Sequence, residues 1–173
     1  MTLERLWAEW RSTYVSTVAT NAADGTQESV FARILASGAP DSETHVLWRG
    51  RQCFAILNAF PYGSGHLLVM PYREVAALED LSPDEHTELW SGVRDAVVAI
   101  KAAYGPDGVN IGVNLGQSAG AGVPGHLHVH CLPRWRGDTN FMTSVAETRV
   151  LPESLDDSWV KLTAAWPSPA STT

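Results

Sequence analysis

Apolar positions along the chain recur at two different spacings, and each spacing predicts one kind of secondary structure. Spacings of three and four residues are typical of amphipathic helices, and the clearest such segment follows Ser82. Ser82 is a good N-cap, Pro83 suits the first helical turn, and Glu85 completes a capping box. Shorter helices are predicted over residues 3–18, 29–35 and 153–165.

Short apolar or alternating runs, bounded by glycine and proline, predict strands. These runs cover residues 45–48, 53–57, 66–70, 109–115 and 126–132, and Pro133 is expected to end the last one. The first two strands are close enough for a hairpin, and the other loops are too short for repeated parallel crossovers. We therefore expect the α+β class, with a mainly antiparallel sheet, one long helix and several shorter helices.

Length and charge narrow the class of protein. The chain has 173 residues, which fits a single domain over 1–165, and its polar end at 166–173 is expected to be a disordered tail. Twelve basic residues against nineteen acidic ones give a net charge of −7. That balance argues against binding of nucleic acid polymers, but it permits a small anionic ligand in one pocket.

Targeting signals and cysteines point to a compartment. The sequence shows no signal peptide pattern and no apolar run near the ~20 residues that a bilayer crossing needs. Cys53 and Cys131 both lie in apolar runs, so we expect buried thiols in a reducing environment. The sequence therefore predicts a cytoplasmic protein that makes no membrane contact.

Three of the six histidines fall within five residues, at 126, 128 and 130. Because side chains alternate along a strand, these imidazoles are expected on one face, opposite the apolar side chains between them. Three imidazoles make a poor core, since buried polar groups need partners. Two functional interpretations stay open: the histidines bind a metal such as zinc, or one is a nucleophile or general base whose neighbours hold an anion.

The loop before the histidines favours the second interpretation. Residues 114–125 contain four glycines, which let backbone N–H groups approach a ligand closely and form an anion site. Asn114, Gln117 and Ser118 add neutral polar groups to the same loop. A glycine-rich loop that leads directly into a one-faced histidine triplet indicates a phosphate site beside a histidine nucleophile.

The pattern His-φ-His-φ-His-φ-φ at 126–132, where φ is apolar, resembles the signature of the histidine triad (HIT) superfamily. Residues 58–71 resemble the family's Asn…Pro…Gly-His-x-Leu-Val-x-Pro segment. Residues 133–142 resemble the Pro-Arg-Trp-x-Gly-Asp-x-Asn-Phe segment of the diadenosine tetraphosphate phosphorylase branch. The resemblance spans about 45–142. It implies an α+β fold, a homodimer and a nucleotidyl transferase or hydrolase.

The resemblance also implies a role for each matching residue. His128 is the nucleophile that attacks the α-phosphate and forms a nucleotidyl-histidine, and His130 binds the phosphate oxygens. His126 and His66 support the same network. The implied substrate-binding residues are Asn58 for the ribose, Asn114 for phosphate, and Gln117, Ser118 and the backbone around Gly122 as further phosphate contacts.

The chain departs from the family pattern at three places. Many members carry a Cys-x-x-Cys, where this chain has Ser29 to Ala32, and a histidine where it has Glu74. We therefore expect neither a structural zinc nor another cofactor, apart from a divalent cation carried by the nucleotide. Gly122-Val123 stands where many members have Gln-Ser or Gln-Thr, which bears on the leaving-group contacts.

The most concrete prediction is cleavage of diadenosine tetraphosphate with inorganic phosphate as acceptor. Three alternatives stay open: a dinucleoside polyphosphate hydrolase, a nucleoside phosphoramidase, and a non-catalytic nucleotide-binding protein. The expected partners are a nucleotide or dinucleoside polyphosphate, phosphate, and a second copy of the chain.

Overall fold

The structure is a computed structural model that describes residues 29–139 and 151–168. Within those ranges a five-stranded antiparallel sheet is flanked by helices, which confirms the predicted α+β class. The predicted helix over 3–18 lies outside the described residues. In chain order the elements are α1 (Val30–Ala36), α2 (Asp41–Thr44), β1 (Val46–Arg49), β2 (Cys53–Leu57), β3 (Leu67–Pro71), α3 (Pro83–Tyr104), β4 (Gly108–Val113), β5 (Val129–Arg134) and α4 (Leu155–Ala165).

The sheet has the strand order β1-β2-β3-β5-β4 and divides the core into two parts. Every residue of β2 and β3 is buried, because both faces of these strands are covered. The larger apolar cluster packs between the sheet and the helices α3 and α4, and it includes Leu57, Val69, Leu89, Ile100 and Leu162. A smaller cluster on the opposite face contains Phe31, Val46, Phe54, Ile56, Leu68 and Met70.

Helix α3 begins as the sequence predicts. Ser82 accepts from the Glu85 N–H at 3.2 Å and Glu85 accepts from the Ser82 N–H at 2.8 Å, which completes the capping box. Gly105 ends the helix in the left-handed conformation, at φ 52°. The Glu85 carboxylate also pairs with Arg73, and this guanidinium holds the pKa of Glu85 down at about 2. The pair fixes the loop that follows β3, and this loop in turn holds the histidine segment.

Strand β5 differs from the prediction at both of its ends. Strand β5 begins at Val129 rather than at residue 126, and it passes through Pro133 to Arg134. Proline is tolerated at 133 because β3 pairs with β5 only as far as Cys131. Beyond Cys131 that side of β5 has no partner strand, so the missing N–H of proline removes no inter-strand hydrogen bond there. Trp166, the first residue of the predicted tail, packs on the larger cluster and stacks on Trp48 with ring centroids 6.0 Å apart.

Three further predictions concern the cysteines, membrane-spanning segments and the extent of the domain. Both cysteines are free and buried, and burial raises the pKa of each thiol to about 12, as their apolar surroundings predict. Over the described ranges, no helix has both the length and the apolar character of a membrane span. The extent of the domain over 1–165 stays a prediction.

Candidate active site

The histidine segment is held by the loop after β3 rather than by a complete strand ladder. The Leu127 N–H donates to the Val75 carbonyl at 2.6 Å, ahead of the first β5 ladder pair at Val129. Leu127, Val129 and Cys131 are buried in the larger cluster. The histidines between them face the other side, where the Phe31 ring contacts both His126 and His128. The predicted alternation therefore holds, although the regular strand begins later.

His126 is fully buried and bonded at both ring nitrogens. Its Nε2 lies 2.8 Å from the Pro71 carbonyl and its Nδ1 lies 2.9 Å from Ser29 Oγ. A carbonyl only accepts, so Nε2 carries the proton and Nδ1 accepts from the serine hydroxyl. Burial lowers the pKa of His126, which keeps the ring neutral. His126 is therefore an immobilised neutral imidazole.

His128 is fixed in the opposite tautomer. Its Nδ1–H donates to the backbone carbonyl of His126 at 2.7 Å, so in the neutral ring Nε2 has a lone pair and no proton. The side chain is only 6% exposed, and this burial lowers the pKa of His128 below its usual value. A neutral imidazole with an unprotonated Nε2 can act as a nucleophile or as a base at neutral pH.

His130 ends a second hydrogen-bonded relay. The Tyr62 N–H donates to His66 Nδ1 at 3.0 Å, which places the His66 proton on Nε2. His66 Nε2 lies 3.0 Å from His130 Nδ1, so His130 Nδ1 accepts and its own proton lies on Nε2. Burial, with a smaller contribution from His128, lowers the pKa of His130 to about 4. His130 is therefore a neutral N–H donor.

The His130 Nε2–H is buried and has no hydrogen-bond partner among the described residues. A buried donor without an acceptor is costly, so this group is suited to an oxygen atom supplied by a ligand. The His128 and His130 rings lie with centroids 5.0 Å apart. One phosphoryl group can therefore approach the lone pair of His128 and the donor of His130 together. The half-exposed Tyr62 ring stacks on His130, with 17° between the ring planes.

One predicted substrate-binding residue lies beside His66, and the others lie in the glycine-rich loop before the histidines. Asn58 belongs to the relay: its Oδ1 accepts from the Phe60 N–H at 2.9 Å and its Nδ2 lies 3.4 Å from His66 Nδ1. Asn114 is half-buried, and its Nδ2 donates to the Gly120 carbonyl at 3.4 Å. The other predicted phosphate contacts are Gln117 and Ser118, both exposed in a short 3-10 turn, and the half-buried Gly122.

The loop around this turn requires glycine at two positions. Gly116 and Gly120 have φ values of 76° and 90°, which side chains with a Cβ rarely adopt. The glycine-rich loop is therefore built by backbone conformation, as its composition predicts. Its exposed amide and hydroxyl side chains stay candidate ligand contacts.

Sequence reasoning missed several residues that hold the histidines in place. Tyr62 sets the tautomer of the relay, Ser29 and Pro71 bond to His126, and Val75 binds the histidine segment through its carbonyl. Three of these contacts use backbone groups, whose role leaves no mark on side-chain type. Ser29 is separated from His126 by 97 positions, so no local pattern connects them.

The sequence profile described as the HIT domain matches residues 39–137, which is more than half of the chain. The chain belongs to the HIT domain family. This confirms the resemblance read from the histidine pattern. A curated relative, "AP-4-A phosphorylase" from Mycobacterium tuberculosis H37Rv, is 40% identical over 167 residues, covering 95% of this chain and 85% of that protein.

Two further relatives extend the comparison. A "Bis(5'-nucleosyl)-tetraphosphatase [asymmetrical]" from Schizosaccharomyces pombe is 39% identical over 95 residues, covering 55% of this HIT chain and 52% of that protein. The crystal structure of a zinc-bound histidine triad family protein from Mycobacterium smegmatis superposes with a TM-score of 0.65 at 28% identity, covering 82% and 94% of the two chains.

The residues of this HIT chain do not fit a structural zinc. The positions that the family resemblance assigns to ligands hold Ser29, Ala32 and Glu74. The Ser29 N–H donates to Glu74 Oε1 at 2.8 Å, and the Ser29 hydroxyl is bonded to His126. Structural zinc sites use thiolate and imidazole ligands, and a neutral hydroxyl is a poor substitute. Across 29–139 and 151–168, no group of three potential metal-binding side chains comes together.

Proposed function

We propose that this HIT protein is a nucleotidyl transferase that cleaves diadenosine tetraphosphate, with inorganic phosphate as the acceptor. The observation that carries the proposal is the opposite tautomers of two neighbouring imidazoles, an unprotonated His128 Nε2 beside the His130 Nε2–H. The similarity to a protein named AP-4-A phosphorylase, over 95% of this chain, supports the choice of substrate and acceptor.

In the first step His128 Nε2 attacks the α-phosphorus of the substrate. The N–P bond forms as the P–O bond to the remaining chain breaks, so ATP leaves and AMP stays on the histidine. The ring then carries positive charge, and its Nδ1–H bond to the His126 carbonyl stabilises that charge. The His130 Nε2–H donates to a non-bridging oxygen as negative charge develops there.

In the second step an oxygen of inorganic phosphate attacks the same phosphorus. The N–P bond breaks, the electron pair returns to His128 Nε2, and ADP is released. Near neutral pH the proton of the attacking phosphate passes to solvent. Splitting the transfer in this way replaces one difficult displacement by two easier ones.

The binding roles are part of the same proposal. Asn58 lies beside His66 at the start of the relay, and we assign its side chain to the ribose hydroxyls. We assign Asn114, Gln117, Ser118 and the backbone at Gly122 to the phosphate chain. A small polyphosphate does not need a strongly basic surface, because imidazole, amide and backbone N–H groups can hold it. The net charge of −7 is therefore compatible with this substrate.

The second candidate is a hydrolase, in which water replaces phosphate as acceptor. The similarity to a protein named as a tetraphosphatase favours this candidate, and the histidine geometry serves either acceptor. Product analysis with and without phosphate tests both. ADP plus ATP formed only with phosphate present is the expected result. AMP plus ATP, or ADP alone, formed without phosphate would establish the hydrolase. Nucleotide binding without turnover would overturn both.

The remaining expectations concern metal and assembly. We propose that the chain uses no structural zinc, supported by the hydrogen bonds of Ser29 and Glu74.

We also propose a homodimer formed through β4, an edge strand whose Ile111 is 48% exposed, because unpaired strand edges are templates for pairing. Sedimentation of Ile111→Lys beside the wild type tests this, and an unchanged dimer would contradict it.

The location of the protein is a proposal as well. We place it in the cytoplasm, and its two free, buried cysteines support this because reducing compartments preserve thiols.

A further inference from the structure

The start of α1 is docked against the histidine segment. Ser29 caps α1, accepting from the Phe31 N–H at 3.2 Å, and its side chain is buried. The same hydroxyl lies 2.9 Å from His126 Nδ1, with its proton directed to that nitrogen. Phe31, two residues later, places its ring against His126 edge-on, with centroids 5.4 Å apart. One serine oxygen therefore joins a helix cap to the histidine triad.

We propose that Ser29 is a positioning residue for the nucleophile His128, acting through His126. This inference rests on the proposed function, in which His128 attacks phosphorus. Ser29 contacts neither the reacting atoms nor His128 itself. Its effect passes through the His126 ring to the His126 carbonyl, which binds the Nδ1–H of His128 at 2.7 Å.

His126 is held at both of its ring nitrogens. Pro71 accepts its Nε2–H and Ser29 donates to its Nδ1, so the ring has no freedom to turn. Without the serine hydroxyl, Nδ1 becomes a buried acceptor with no partner, which costs more than an average hydrogen bond contributes. The ring is then expected to shift toward another partner, and its backbone carbonyl shifts with it.

Ser29 is itself fixed from the side opposite His126. Its N–H donates to Glu74 Oε1 at 2.8 Å, and Glu74 belongs to the loop that follows Pro71, the last residue of β3, and supplies the Val75 carbonyl. Ser29 and the histidine segment are thus attached to the same short loop. The position of the hydroxyl relative to His126 is therefore set by the Glu74 carboxylate, which binds the Ser29 N–H, and by the loop that carries Glu74.

The same contacts involve positions that the family resemblance assigns to zinc. Ser29 and Glu74 occupy two of them; here the Ser29 N–H donates to Glu74, and the Ser29 hydroxyl bonds to His126. A metal ion would hold this corner of the site by coordination. In this chain a hydroxyl, a carboxylate and an imidazole hold it by hydrogen bonds, so loss of one partner should loosen it.

The test compares Ser29→Ala with Ser82→Ala. Ser82 is the matched control because it also caps a helix with a 3.2 Å bond, to the Glu85 N–H, without contacting a histidine. The rate of nucleotidyl-enzyme formation from labelled diadenosine tetraphosphate is measured in single turnover. We expect Ser29→Ala to lose at least about tenfold in rate, typical for an outer partner of a functional histidine, with KM little changed. Ser82→Ala should lose thermal stability while keeping the rate.

Two further readouts separate positioning from folding. Ser29→Thr keeps the hydroxyl and should recover most of the rate, and a Thr variant no faster than Ala would overturn the inference. In ¹⁵N spectra of Ser29→Ala, the His126 Nδ1 resonance should move to higher frequency and the His128 Nδ1–H signal should broaden by solvent exchange. An unchanged His128 signal, or equal rates in Ser29→Ala and wild type, would overturn it.

The spectra also separate failure of the proposed function from failure of the positioning role of Ser29. If the wild type forms no nucleotidyl-protein, the proposed function fails. In that case the His126 and His128 resonances of Ser29→Ala still decide whether Ser29 positions the imidazoles.

Discussion

Two pairs of histidines lie on one face of the sheet, yet they offer opposite groups to a ligand. In the pair of His126 and His128, the His126 backbone carbonyl accepts a hydrogen bond from the Nδ1–H of His128. The proton of the neutral His128 ring therefore stays on Nδ1, and Nε2 has a lone pair. In the pair of His66 and His130, a backbone N–H from Tyr62 starts the relay, so the last ring presents an N–H. The backbone group that begins each pair thus determines whether it ends in an acceptor or a donor.

The largest effect on turnover is expected from removing the lone pair of His128 Nε2. His128→Ala should abolish the nucleotidyl-protein and lower turnover by about 10⁴-fold or more, as loss of a covalent nucleophile typically does. Trapping with labelled substrate measures this. His86→Ala is the control, because His86 is an exposed residue of α3 outside both pairs. Labelled protein in the His128 variant would show that another group is the nucleophile.

Removing the donor should cost less than removing the nucleophile. His130→Ala leaves the His128 tautomer intact but deletes the N–H that we assign to the phosphate oxygen. Loss of one such donor usually costs about 10²- to 10³-fold in the rate of the chemical step. Single-turnover kinetics should show a slower but detectable nucleotidyl-protein. A loss equal to that of His128→Ala would mean that the two rings do not have separate roles.

Breaking the relay upstream should have a smaller effect. In His66→Ala the His130 Nδ1 loses its hydrogen-bond donor, so the His130 proton can lie on either ring nitrogen. The tautomer with the proton on Nε2 is therefore less populated. We expect a loss of about 10- to 100-fold in rate. His66→Gln can still donate an amide N–H and should recover part of it. Equal rates in the Ala and Gln variants would contradict the relay.

The smallest change is expected from mild acid. Burial lowers the pKa of His128 below its ordinary value and that of His130 to about 4, so both rings stay neutral as pH falls through 6.5. The acid limb of kcat/KM should therefore lie below pH 6.5, where an exposed histidine would titrate. A half-maximal point at or above pH 6.5 would contradict the neutral pair.

Folding stability should depend on pH in the same region. The unfolded chain binds protons at these histidines near pH 6.5, whereas the folded state resists protonation because it buries them. Stability is therefore fully present above pH 6.5 and declines as pH falls toward the folded pKa of about 4 for His130. Thermal melts between these pH values check this sign.

The sequence was sufficient for features that depend on local pattern. The cap at Ser82, the apolar strands β2 and β3 and the one-faced histidines follow from short-range rules, and the structure confirms them. The start of β5 was placed wrongly because residues 126–128 bond to Val75 and Pro71 rather than to a complete ladder.

The tautomers were beyond the reach of the sequence for a physical reason. They depend on which backbone group faces each ring, and this is decided by contacts between distant segments. Tyr62 and Ser29 matter through single atoms, an amide N–H and a hydroxyl, that many residue types could supply. The side-chain pattern could therefore identify the histidines but not their protonation.

The most direct test of the account is a long-range ¹H–¹⁵N spectrum of histidine-labelled protein at pH 7. The structure predicts that His126, His66 and His130 are neutral with the proton on Nε2, and that His128 is neutral with the proton on Nδ1. A proton on His128 Nε2, or a doubly protonated ring at either His128 or His130, would contradict the proposed nucleophile and donor.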